Sequence, residues 1–162
     1  MTQTDWQVYF ETLAAQHTAL QHTSREKHFF RCELDEFFGD LRSKVRFPAL
    51  IMESTLLDIY GDTFSRQRRR TLALIVVKNH VHDNWDEISA ALADCETIGT
   101  DIVGRLERDI TSDAVPSLAD CSLEDIHAEP IANAPMKYVG WRFEFVVSEP
   151  ACLDNKNHWS HD

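Results

Sequence analysis

The sequence predicts an α+β domain in which an antiparallel sheet of about four to five strands is flanked by an N-terminal helix and a long helix over residues 84–110. Three observations carry this prediction. Trp85, Ile88, Leu92, Cys95, Ile98, Ile102, Leu106 and Ile110 recur every three or four positions and so line one helix face. Val139, Trp141, Phe143, Phe145 and Val147 alternate with Tyr138, Gly140, Arg142, Glu144 and Val146, the period of a strand. Upstream of both, residues 71–77 contain Leu72, Leu74, Ile75, Val76 and Val77, an apolar run of strand length that suits a central strand covered on both faces.

The remaining elements follow in chain order. Trp6, Phe10, Leu13 and Leu20 fit a first helix over residues 4–22, capped by Thr4 or Asp5. In residues 24–46, Phe29, Phe30 and Cys32 suggest an extended stretch near 28–33. Leu34, Phe37, Phe38 and Leu41 then suggest a helical insertion over 34–45, which Pro48 ends. Residues 49–60, rich in Leu, Ile and Thr but interrupted by Glu53 and Asp58, read as one partly exposed strand. A polar connection over 61–70 then makes a long hairpin tip carrying Arg66, Arg68, Arg69 and Arg70. Asn84 with Glu87 three residues on resembles a capping box and sets the start of the long helix. Its opposite face carries Asp86, Asp94, Glu96, Asp101, Glu107 and Asp109. Residues 122–130 read as an edge strand and 138–147 as the closing strand. Residues 1–150 thus form a single domain, and 151–162 a polar, mobile tail that includes Trp159.

The 162 residues hold 16 Lys and Arg against 27 Asp and Glu, a net charge of −11. The imbalance is local, since residues 1–81 carry 11 basic and 10 acidic residues while 82–162 carry 5 and 17. Such a surface is unsuited to neutralising a phosphate backbone, so sequence-specific nucleic-acid binding is not expected. No run of about 18 apolar residues is present and residues 1–6 lack a signal-peptide pattern, so the expectation is a soluble, cytoplasmic chain with no membrane partner. Cys32, Cys95, Cys121 and Cys152 form no CxxC pair, and no Gly-rich phosphate loop or Ser/Cys nucleophile signature occurs. No cofactor is expected.

Two features stand out from this background. His80 and His82, two apart and followed by Asp83, can present both imidazoles to one side of a strand. A metal would need further ligands from His127, His158 or His161, and a polar turn before the helix explains the motif without metal. His17 and His22 read as solvated surface residues. The second feature is the arginine cluster, which in an acidic chain points to an acidic partner surface. The exposed acids of the long helix on a neighbouring copy, Asp94 and Asp101 among them, supply one, and a head-to-tail contact of that kind closes into a ring.

The order of elements, with the strand over 49–60, the cationic hairpin, the strand over 71–77, the helix over 84–110 and the closing strand containing Gly140-Trp141-Arg142-Phe143-Glu144-Phe145, resembles the tail terminator and minor tail proteins of bacteriophages and prophages. The resemblance covers residues 47–148, and the Phe-rich insertion at 24–46 departs from it. It implies a helix-flanked antiparallel sheet, a non-enzymatic role, a hexameric ring and a tail-tube or head-connector partner. Such a protein is cytoplasmic before assembly and part of the virion afterwards. Under this reading Arg66, Arg68, Arg69, Arg70, Asp94, Asp101 and Trp159 are the partner-binding residues. Two alternatives stand beside it: a metal-dependent enzyme using His80, His82 and Asp83, and an adaptor that binds another protein through the Trp159 tail.

Overall fold

The computed structural model describes residues 1–39, 45–62, 65–81, 84–112, 115–133 and 137–151. The chain is α+β, as the sequence predicts. In order it forms α1 (Gln3–Gln16), β1 (Phe29–Arg31), α2 (Leu34–Gly39), β2 (Ala49–Met52), β3 (Leu56–Tyr60), β4 (Gln67–Asn79), α3 (Trp85–Thr111), a 3-10 turn at Pro116–Leu118, β5 (Ser122–Asn133) and β6 (Tyr138–Pro150). One six-stranded sheet runs β1-β2-β4-β6-β5, with β3 beside β4. It is larger than the four to five strands expected, because the stretch read as one strand over 49–60 forms two; residues 29–31 form a short strand parallel to β2 in the otherwise antiparallel sheet.

The strand expected over 49–60 is two strands lying end to end along the same edge of β4. Met52 sits opposite Leu74 and Leu56 opposite Thr71. Four steps along one strand therefore face three along the other, which is the single extra residue of a β-bulge. At that point Glu53 donates its N–H to the Ala73 carbonyl at 3.1 Å and turns its carboxylate to Arg142 Nε at 3.0 Å.

The helices build the larger core on one face. Trp6, Phe10 and Leu13 of α1 and Cys95, Ile98, Ile102 and Leu106 of α3 pack on Leu50, Met52, Leu72, Leu74, Val76, Phe143 and Phe145. The other face buries Phe30, Phe37, Ala49, Ile51, Ile75, Val77 and Tyr138 under α2. The N-terminus of α1 lies two residues earlier than the sequence suggested. Thr2 is the cap: its hydroxyl accepts the Asp5 N–H at 3.2 Å while Asp5 accepts the Thr2 N–H at 2.6 Å, a reciprocal capping box. The helix stops at Gln16, and Leu20 reaches the core from the turn beyond it.

The long helix starts where expected, with Asn84 Oδ1 accepting the Glu87 N–H at 2.8 Å. The Glu87 carboxylate accepts the Val81 N–H at 2.7 Å. Two side chains depart from the predicted faces. Trp85, counted in the apolar stripe, is 82% exposed, because it lies in the first turn beyond the reach of the sheet. Asp109, counted among the solvent-facing acids, is buried: it falls three positions after Leu106 and seven after Ile102, on the inner flank of the stripe.

Candidate assembly surface

The arginines come first, because the structure relocates them. Only residues 61–66 connect β3 to β4, so Arg68, Arg69 and Arg70 lie within a strand rather than on a hairpin tip. What draws them into β4 is β6 beside it. Arg68 stands opposite Glu149 in the register and its Nη1 meets Glu149 Oε1 at 3.0 Å, while the N-terminal ammonium of Met1 holds Oε2 of the same carboxylate at 2.7 Å. Arg69 reaches Asp125 Oδ2 at 2.6 Å. Arg70 is buried, donates to Thr55 Oγ1 at 2.9 Å and to the Met1 carbonyl at 3.4 Å, and burial lowers its pKa from the ordinary guanidinium value. Arg66 remains at the hairpin. Its carbonyl accepts the Ala151 N–H at 2.9 Å, and its guanidinium forms no ion pair with a described residue. The cluster thus divides into two structural arginines, one half-exposed pair with Asp125, and one partly exposed arginine without an ion pair among the described residues.

Asp94 and Asp101 stand on the outward face of α3, as predicted. Asp94 pairs with Lys78 of β4, and Asp101 lies 3.5 Å from His17 Nε2. Both carboxylates stay more than half exposed, and Asp86, Glu96 and Glu107 beside them are exposed as well. A fold-spanning node lies on the inner side of the same helix. Tyr9 Oη donates to Asp109 Oδ2 at 2.9 Å, and Arg105 Nε donates to Oδ1 at 2.8 Å. Burial, reinforced by the Asp109 carboxylate, raises the Tyr9 phenol well above its usual pKa of 10.0.

The histidine motif is only partly visible. His80 is buried with its N–H donated to the Lys137 carbonyl at 3.0 Å, while His82 and Asp83 lie outside the described residues, as do His158, Trp159 and His161. His127 is on the edge strand β5, opposite Glu144. Among the described residues no three His, Cys, Asp or Glu side chains converge on a metal-sized site. His17 and His22 are not the solvated residues expected. His22 Nδ1 accepts the N–H groups of His28 at 3.0 Å and Phe29 at 3.1 Å, which ties the turn after α1 to the start of β1.

The sequence reading of 49–60 as one partly exposed strand missed that β3 is separate and fully exposed. Every residue of Leu56–Tyr60 is exposed, although four of the five are large and apolar. No helix among the described residues is long and apolar enough to cross a membrane. Compared with known proteins, the chain matches no protein-family model and no curated protein.

Proposed function

We propose that this chain is a non-enzymatic structural protein of a phage-like particle, one that caps or joins the tail and assembles as a ring. The observation that supports the reading is the separation of unlike charge on one rigid sheet-and-helix body. Arg66, partly exposed at the β3–β4 hairpin, has no ionic partner among the described residues, while α3 turns Asp86, Asp94, Glu96, Asp101 and Glu107 to solvent. An unpaired cation and a separate acidic helix face on one chain are the unlike surfaces a head-to-tail contact joins, and such contacts close into rings when the rotation allows. The layout of strand, hairpin, strand, long helix and two closing strands, which resembles the tail terminator and minor tail proteins, adds the hexameric count, the tail-tube or head-connector partner and the virion location to the proposal.

Light scattering of the purified chain at low ionic strength tests it. The expected result is a ring-sized particle that Arg66→Glu dissociates, that Asp94→Lys with Asp101→Lys also dissociates, and that salt weakens, since exposed charges are screened beyond about 10 Å at 0.1 M. Assembly indifferent to both sets of substitutions overturns the proposed contact.

A further inference from the structure

The most exposed edge of the sheet is β3. It pairs with β4 on one side and with no described strand on the other. Leu56 is 69% exposed, Leu57 45%, Ile59 46% and Tyr60 46%. Exposed edges are normally guarded by Lys, Pro, a bulge or a covering element. The opposite edge, β5, follows that rule with Pro130 and an irregular register between Glu124 and His127. Within β3 the only charge is Asp58.

We propose that β3 pairs with β3 of a second copy, antiparallel about a two-fold axis, so that two sheets become one. The segment reads apolar, apolar, Asp, apolar, apolar from either end, and an antiparallel pairing centred on Asp58 exploits that symmetry. Leu56 then faces the second copy's Tyr60, and Leu57 faces the second copy's Ile59, so four of five positions place apolar on apolar. The Leu57 and Ile59 pairs lie on one face of the joined sheet and the Leu56 and Tyr60 pairs on the other.

Area and charge set the strength of this contact. Taking about 200 Å² for a fully exposed large side chain, these exposures leave about 400 Å² per copy. Two copies would cover about 800 Å², less than the roughly 1,200–2,000 Å² of a standard interface, so the product is a weak dimer that forms as concentration rises. The two Asp58 carboxylates face each other at the centre. Each also sits opposite its own Arg69, but Asp125 already holds that guanidinium at 2.6 Å, so the centre of the contact keeps a net negative charge. Like charges directly across a strand pair still oppose it. That gives the contact a signature that a strand from an unrelated protein would not share: removing the Asp58 charge tightens it.

A two-fold contact closes on itself and is therefore separate from the head-to-tail ring. The test is sedimentation velocity over a concentration series in the Asp94→Lys, Asp101→Lys background, where the ring contact is absent. A reversible monomer–dimer equilibrium is expected, with Asp58→Asn lowering its dissociation constant about two- to fivefold. Leu57→Lys with Ile59→Lys is expected to leave only monomer. Leu57→Thr with Ile59→Thr, which keeps strand propensity while removing the apolar contact, is expected to weaken the dimer with an unchanged circular dichroism spectrum. A monomer at every concentration, or a dimer insensitive to the Leu57 and Ile59 substitutions, overturns the pairing. An Asp58→Asn effect of zero or opposite sign overturns its register. A dimer that persists although wild type forms no ring refutes the ring alone.

Discussion

Replacing Tyr9 with Phe tests how the N-terminal helix is fastened to the long one. The substitution removes one oxygen and keeps the ring, which meets Trp6 and Phe10 edge to face with centroids 6.0 and 5.2 Å away. The loss is therefore confined to the hydroxyl that donates to Asp109 Oδ2 at 2.9 Å. Asp109 is only 4% exposed, so the vacated lone pair gains little from water, although Arg105 still holds the other oxygen. A hydrogen bond to a charged group contributes about 1.5–3 kcal/mol. Because Arg105 retains half of the carboxylate's partners, a loss of about 2 kcal/mol is expected. For a chain of this length that lowers Tm by about 4–8 °C. Urea unfolding followed by tryptophan fluorescence reads the effect, with Trp6, buried beside the contact, as a local reporter. The midpoint should fall while the slope m stays constant. A loss below about 0.5 kcal/mol would refute the view that this node holds α1 to α3. The pH dependence follows with a definite sign. Since the folded state raises the Tyr9 pKa above 10.0, the node's stabilisation is complete below pH 10 and declines as pH rises toward the folded value. In Tyr9→Phe that part of the alkaline decline should disappear.

Two further substitutions and one labelling experiment probe the body of the fold. A Cβ at Gly140 would lie 2.1 Å from the Val76 carbonyl oxygen, a backbone atom of the neighbouring strand, so Gly140→Ala should cost about 3 kcal/mol in urea unfolding by prising β4 from β6. Gly104→Ala meets nothing within 4 Å inside α3 and should instead stabilise by about 0.5–1 kcal/mol. Burial pushes the Cys95 thiol up to about 12 and that of the half-exposed Cys121 to about 11. Iodoacetamide labelling read by mass spectrometry at pH 8 should therefore modify Cys121 before Cys95 in the native chain, with the difference erased in urea. The same shift removes stability as pH climbs from the ordinary thiol value of 9.0 toward 12.

The parts of the fold that were legible in the sequence depend on neighbours close in the chain. The Asn84 cap and the stripe from Ile88 to Ile110 belong to one helix, and the alternation through 138–147 belongs to one strand. The extended start and helix read for residues 28–45 correspond to β1 and α2, with 40–44 outside the described residues. Arg68–Arg70 were illegible because consecutive arginines read locally as a loop, while the carboxylate that draws Arg68 into β4 is 81 positions away. Asp109 reads as one more surface acid until Tyr9, 100 positions earlier, is set against it. The full exposure of β3 had only a weak local signal, Asp58, which made 49–60 read as partly exposed. Leu56, Leu57, Ile59 and Tyr60 have the composition of a core strand, and only the pairing order leaves them outside. Of the predicted assembly residues, Arg66, Asp94 and Asp101 lie on the surface, whereas Arg68 and Arg70 serve the fold itself.

The most direct measurement of the assembly role is the mass of the purified chain by multi-angle light scattering at low salt and high concentration, repeated for Arg66→Glu. The account predicts a closed particle several times the 18.7 kDa chain mass that Arg66→Glu reduces to smaller species. An 18.7 kDa monomer under those conditions would contradict it.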